Sequence, residues 1–118
     1  IYLTDRDTAP PALPKYHAQI ALWNAQPNTE ALCLDKRELE NYIHPTAIQA
    51  VLSGFPSSIA DHDDVPAIYS SLSGLRQKNA KKYLNQACCD NMTTTLLEES
   101  DQNGEIKSLL AKVKSKLN

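Results

Sequence analysis

Two groups of acids in the chain could do chemistry together. The first is Asp5 and Asp7 in "IYLTDRDT"; the second, about thirty residues on, is Asp35, Glu38 and Glu40 in "LDKRELENYI". Residues i and i+2 of an extended segment project to one side, so Asp5 and Asp7 would share a face. Carboxylates held that way repel unless a proton or a divalent cation comes between them, and hard oxygen donors favour Mg²⁺ or Mn²⁺ over softer metals. Four or five carboxylates converging at one sheet edge could hold one or two such ions, the arrangement that serves in-line phosphoryl displacement. Glu38 and Glu40, two apart, would not share a helix face, which suits one ligand and one outer or structural partner. Each group also has a plainer reading. Asp-x-Asp is what a solvated turn offers, with Arg6 to neutralise it, and acids in a first helical turn are stabilised anyway.

For the two groups to meet, the elements before them must bring them to one edge. "IYLT" reads as a short strand running into the first acids, and "EALCL" as a second one ending at Asp35. Between them the proline-rich "APPALP" excludes a continuous helix, and "KYHAQIALWNA" carries Tyr16, Ile20 and Trp23 near helical spacing before Pro27 and Asn28 stop it. Strand, helix, strand over about 35 residues is the pattern of a βαβ unit with a parallel pair, and in such units ligands bind at the carboxyl ends of the strands.

The rest reads as helical. "KRELENYI" places Leu39, Tyr42 and Ile43 on one helical face, and Pro45 opens a further helix holding Ile48, Val51 and Leu52. After the loop "SSIADHDD", Asp64 can cap a helix with Pro66 in its first turn. The segment from Val65 to Cys89 is expected to be helical apart from Gly74, with Ala80, Tyr83, Leu84, Ala87 and Cys88 on one stripe. Thr95 and Glu98 have capping-box spacing, and Ile106, Leu109, Leu110, Val113 and Leu117 form an amphipathic face on the last helix. The expectation is therefore an α/β chain: two parallel strands within residues 1–53, then a helical extension over 54–118 packed on them. A two-strand parallel sheet covers little by itself. With a first residue that is not Met, it leads to the expectation that further strands lie upstream.

Composition adds bounds. The chain has 118 residues, 42% hydrophobic and 22% charged, ordinary values for a globular domain. No apolar run approaches the roughly 20 residues of a membrane span, and a cytoplasmic protein is expected. The three cysteines, Cys33 and the adjacent Cys88 and Cys89, fit no zinc spacing and are expected as reduced thiols, with Cys33 a small core residue. Residues 1–64 hold nine acids against four bases, a net of −5; residues 65–118 hold five acids against eight bases, a net of +3. An acidic half beside a basic half suits a metal site next to an anionic substrate, as it also suits solvated faces of mixed charge. "DHDD", His17 and His44 read as loop, surface or packing residues, and Arg76, Lys78, Lys81 and Lys82 as a short run able to touch a nucleic-acid backbone.

"YLTDRD" followed by "LDKRELENYI" resembles the TOPRIM nuclease domain of the OLD-family ATP-dependent endonucleases, in which an Asp-x-Asp strand precedes an Arg-Glu-x-Glu-Asn-Tyr segment. "KKYLNQACCDNMTTTLLEESDQNGEI" is similar to the helical tail that follows. The resemblance implies that Asp5 and Asp7 bind metal, that at least one of Glu38 and Glu40 does, and that Lys81 or Lys82 supplies a downstream lysine meeting phosphate or the transition state. It implies a Mg²⁺- or Mn²⁺-dependent endonuclease acting on DNA, coupled to an upstream ATPase of the same parent and serving anti-phage defence or DNA processing. The glutamate assigned in that family as general acid/base lies on an earlier strand and is not in this sequence. Nor is there a GxxxxGK[ST] phosphate loop. The chain alone is therefore expected not to cleave. Two other readings stand beside this one: a non-catalytic helical module that docks a partner or a second copy, and a degenerate TOPRIM that binds nucleic acid without cutting it.

Overall fold

Tyr2–Thr4 form β1 and Ala31–Cys33 form β2, paired in parallel with Leu3 opposite Leu32. Residues 1–117 are described by the structure, a computed structural model; the last residue of the 54–118 extension lies outside them. Between the strands runs α1 (His17–Asn24). The Asn24 amide locks this crossover: its Oδ1 accepts from Ala31 N at 2.8 Å and its Nδ2 donates to Ala31 O at 3.3 Å. Trp23 stacks on Tyr2 with ring centroids 4.7 Å apart. The strand–helix–strand pattern is as expected, yet this layer is thinly covered. α1 buries no residue, and Ile1, Tyr2 and Leu3 all remain exposed.

The core lies in the helical part. α2 (Pro45–Gln49), α3 (Val65–Ser73) and α4 (Gln77–Tyr83), with the π turn Leu84–Cys88 that continues α4, enclose Ile43, Ala47, Ile48, Phe55, Val65, Tyr69, Ala80, Leu84 and Cys88. That cluster draws on residues before and after position 53, so the two parts share one core. Asp64 caps α3, accepting from Ala67 N at 3.1 Å, with Pro66 in the first turn. Gly74 ends it at φ 77°, where a side chain would be strained. α5 (Thr94–Ser100) and α6 (Glu105–Leu117) complete the chain. The whole is α/β, with a Cα radius of gyration of 15.3 Å, above the roughly 13.5 Å of a compact chain of this length. Among the described residues no helix is long and apolar enough to cross a membrane.

Three local expectations are corrected, and the amphipathic face expected on α6 is present but left mostly uncovered. "KRELENYI" makes a single 3₁₀ turn, Leu39–Tyr42, with Leu39 exposed; Pro45 holds His44 extended, and Ile43 before it is extended as well, so no helix can run through. α5 is capped by Thr93, whose Oγ1 accepts from Leu96 N at 3.2 Å, two residues before the Thr95 of the expected box. The residue already extended before the first turn takes the cap. The amphipathic face of α6 buries nothing: Ile106 and Leu109 are half-covered, while Leu110, Val113 and Leu117 are exposed. Cys33 is half-buried, because a two-strand sheet cannot enclose both its faces.

Candidate metal centre

The parallel pairing runs one residue beyond the strands, with Leu34 N donating to Thr4 O at 3.1 Å. Both strands therefore deliver their next residues to one edge. Asp5 Oδ1 accepts from Leu39 N at 3.2 Å. Asp7 takes a left-handed conformation, φ 56°, which aspartate tolerates better than most residues, and its N–H donates to Arg37 O at 2.8 Å. These two main-chain ties bind the acidic end of β1 directly to the turn that follows β2.

That turn is anchored from behind. Arg37 N donates to Asp61 O at 2.9 Å, and its guanidinium lies 3.5 Å from Asp64. Asn41, fully buried, accepts from Glu38 N at 3.2 Å and donates to Asp63 O at 2.9 Å. Tyr42 donates its hydroxyl to Glu105, whose other oxygen accepts from Asp35 N at 2.9 Å. Burial, and after it the pairing to Glu105, keeps the Tyr42 phenol protonated far above its ordinary range. Lys36 donates to Ser100 O at 2.5 Å and lies 5.0 Å over the Tyr42 ring.

On this frame Asp5, Asp7 and Glu38 each offer one carboxylate oxygen, and the three oxygens lie within 4.8 Å of one another. Glu38 and Glu40 are both only 5% exposed, but the Glu40 carboxylate does not join the three; it accepts from Asn85 Nδ2 at 2.9 Å. Of the two candidate lysines, Lys81 reaches the group, its Nζ 3.4 Å from Glu38 Oε2. Lys82 lines another cleft, with Leu75, Asn79, Tyr83 and Gln86. Lys15 stands 4.0 Å from Asp7 on the exposed side, a pair worth little in water.

The electrostatics follow from crowding acids against a covered edge. Burial raises the Asp5 carboxyl above its ordinary value, the Leu39 hydrogen bond opposing it and the charges of Glu40 and Asp7 adding to it. Burial and then Glu40 raise Glu38, with Lys81 pulling the other way. For Lys81, burial works against its charge, but Glu38, Glu40 and Asp5 outweigh it and hold the ammonium protonated. The donors are all carboxylate oxygens, on an edge whose anions are costly to keep, with one partial counter-cation. This donor set fits a hard divalent ion.

Sequence patterning missed Asn85, Arg37 and Asn41. Arg37 and Asn41 lie inside the quoted "KRELEN" but were not assigned the work of fixing the turn. Asn85 stood in the expected helical run with no mark to separate it from the other polar residues there. Comparisons with protein-family models, with curated proteins and with solved structures found no match.

Proposed function

We propose that the chain is the ion-holding part of a TOPRIM-like, divalent-cation-dependent phosphodiesterase acting on DNA. The observation that carries this reading is the meeting of Asp5, Asp7 and Glu38 within 4.8 Å at the carboxyl ends of two parallel strands. Further support comes from Lys81, an ammonium 3.4 Å from Glu38, and from the order of the motifs, which resembles that of the OLD-family nuclease domain.

In this reading Asp5, Asp7 and Glu38 hold Mg²⁺ or Mn²⁺, which when bound supplies a Lewis acid for phosphate oxygens and a source of hydroxide. Lys81, protonated and half-exposed, offers its N–H groups to a phosphate oxygen as charge develops there. The Leu39 N–H orients the Asp5 carboxylate, and the Arg37 carbonyl fixes the Asp7 main chain. The general base and the ATPase that the resemblance calls for belong to sequence other than these 118 residues. An upstream ATPase of the same parent, anti-phage defence and a cytoplasmic setting are part of the same proposal.

The test has two steps. Isothermal titration of the chain with Mn²⁺ is expected to give one or two sites, lost or strongly weakened in Asp7→Asn and Glu38→Gln. In a longer protein carrying the chain, Mn²⁺-dependent nicking of plasmid DNA is expected to fall with Asp7→Asn. Undiminished nicking in that variant would sink the assignment, and DNA binding that is salt-dependent but indifferent to Mn²⁺ would favour a non-cleaving TOPRIM.

A second reading, a non-catalytic assembly module, draws on α6. Its Leu110, Val113 and Leu117 are left exposed on one amphipathic helix. Light scattering over a concentration series separates the two: a mass that stays monomeric counts against assembly, whether a homodimer or a larger oligomer.

A further inference from the structure

Glu40 is as deeply covered as Glu38, and its charge is felt by both Asp5 and Glu38. Even so, its carboxylate is not one of the three that meet. It is paired instead with Asn85. The Asn85 amide donates from Nδ2 to Glu40 Oε1 at 2.9 Å and, with the same nitrogen, to Lys81 O at 2.9 Å. Lys81 in turn sets its ammonium against Glu38. One side chain thus ties the main chain that carries the lysine to the carboxylate that stays out of the cluster.

The element bearing Asn85 is unusual. It belongs to the π turn Leu84–Cys88, whose end residues Leu84 and Cys88 are completely buried in the core. Wide turns of this kind are rare and recur at functional positions. With Leu84 and Cys88 fixed by packing, Asn85 has little freedom to move relative to the acids.

We infer that Asn85 is a positioning residue of the ion site: it holds Glu40 out of the ion's direct ligands, so that Asp5, Asp7 and Glu38 bind while other coordination positions stay open to an anionic substrate. The inference rests on the divalent-cation reading above and gives the second glutamate of "ELE" a role distinct from the first. Ion sites that keep an open position do chemistry, whereas closed ones are structural. Affinity for hard cations is set largely by the number of charged ligands. A released Glu40 would add a fourth carboxylate, tighten the ion and close the position that substrate needs.

The experiment is Mn²⁺ titration of the full 118-residue chain, read by calorimetry and by water-proton relaxation, which counts waters on the bound ion. The set is wild type, Asn85→Ala, Glu40→Gln and the double variant. Asn85 is exposed, and Asn85→Ser serves as a second truncation should Asn85→Ala lose its circular-dichroism signature. Asn85→Ala is expected to bind Mn²⁺ about tenfold tighter, the lower end of the scale on which outer partners act, with lower relaxivity. Glu40→Gln alone should weaken binding only by the loss of a nearby charge, by much less than Asp7→Asn, and adding it to Asn85→Ala should bring affinity and relaxivity back to those of Glu40→Gln. A merely structural role for Asn85 would give no such restoration. Unchanged affinity and relaxivity in both Asn85 variants would overturn the inference, as would a loss in Glu40→Gln as large as that in Asp7→Asn. A wild-type chain that takes up no Mn²⁺ would overturn the ion-site reading itself, and this inference with it.

Discussion

The ammonium of Lys81 stands 3.4 Å from Glu38 Oε2, while Lys82, its neighbour in sequence, turns to a different cleft. Adjacent helix residues point about 100° apart, so only one of the two can face the acids. Glu38 is almost wholly covered, and removing its partner leaves a buried anion with less compensation. Lys81 itself is half in water, which limits the loss. Lys81→Met is expected to cost about 1–2 kcal/mol at pH 7, and Lys82→Met to stay within about 0.5 kcal/mol. Urea denaturation of the two variants measures both. Mn²⁺ should recover more stability in Lys81→Met than in wild type, because the ion takes over the missing charge.

Asn41 joins the two ends of the anchoring loop. It accepts from Glu38 N in a buried bond and donates to Asp63 O and Ala60 O in partly buried ones. Asn41→Ala leaves the buried Glu38 N–H unpaired, at a cost of about 1–3 kcal/mol, while Asp63 O and Ala60 O still accept from Val65 N and Asp63 N. A net loss of about 1–3 kcal/mol is expected in urea melts, together with weaker Mn²⁺ binding as Glu38 loses its support. Asn41→Asp keeps the acceptor for Glu38 N but sets a carboxylate against two carbonyl oxygens, and is expected to be no better than alanine.

The convergence of Asp5, Asp7 and Glu38 was legible because it depends on two local regularities, the alternation of an extended segment and the common edge of a βαβ unit. The Asp64 cap with Pro66 behind it was legible for the same reason, since both signals lie within four residues. Asn85 was not. Its contact with Glu40 spans 45 positions and depends on a π turn, for which composition offers no signal. The separation of Lys81 from Lys82 likewise awaited the register of α4. In α6 the spacing marked an apolar face correctly, but periodicity identifies a face and not what covers it. The two-strand layer beside it is too small to bury that face.

Cys88 and Cys89 are adjacent yet should behave differently. Cys88 is completely buried in the core, and burial pushes its thiol up to about 11; Cys89 is exposed. With Ellman's reagent at pH 8, Cys89 and half-buried Cys33 are expected to react first, and Cys88 only as fast as the chain unfolds. The raised value also sets a pH dependence. Below about pH 9 both folded and unfolded states keep the Cys88 proton; between about 9 and about 11 the unfolded state releases it first. Stability from this group is therefore full below pH 9 and is lost as pH rises through the folded value. Thermal melts from pH 7 to 11 should show that decline, and Cys88→Ala should flatten its onset. A decline just as steep in Cys88→Ala would assign it to the other groups that burial raises, the Cys33 and Cys89 thiols and the Tyr42 and Tyr69 phenols.

Asp101 does for α6 what no burial does. Its two carboxylate oxygens accept from Glu105 N at 2.8 Å, Ile106 N at 2.9 Å and Lys107 N at 3.2 Å, three of the four donors a helix start leaves open. α6 buries no residue, and a 13-residue helix without packing is marginal in water. The cap therefore carries an unusual share of its order. Asp101→Ala is expected to cost about 1–2 kcal/mol, with the loss confined to α6: its amides should exchange hydrogen faster by about tenfold or more while those of α3 and α4 keep their rates. The effect should also reach the ion site. Glu105 in the first turn of α6 holds both Asp35 N and the Tyr42 hydroxyl, so fraying that turn loosens the segment that carries Glu38. A drop in Mn²⁺ affinity in Asp101→Ala, absent when Leu117, at the far end of the helix, is changed to Ala, would show that α6 supports the acidic turn through Glu105. Equal affinity in both variants would leave the helix an appendage.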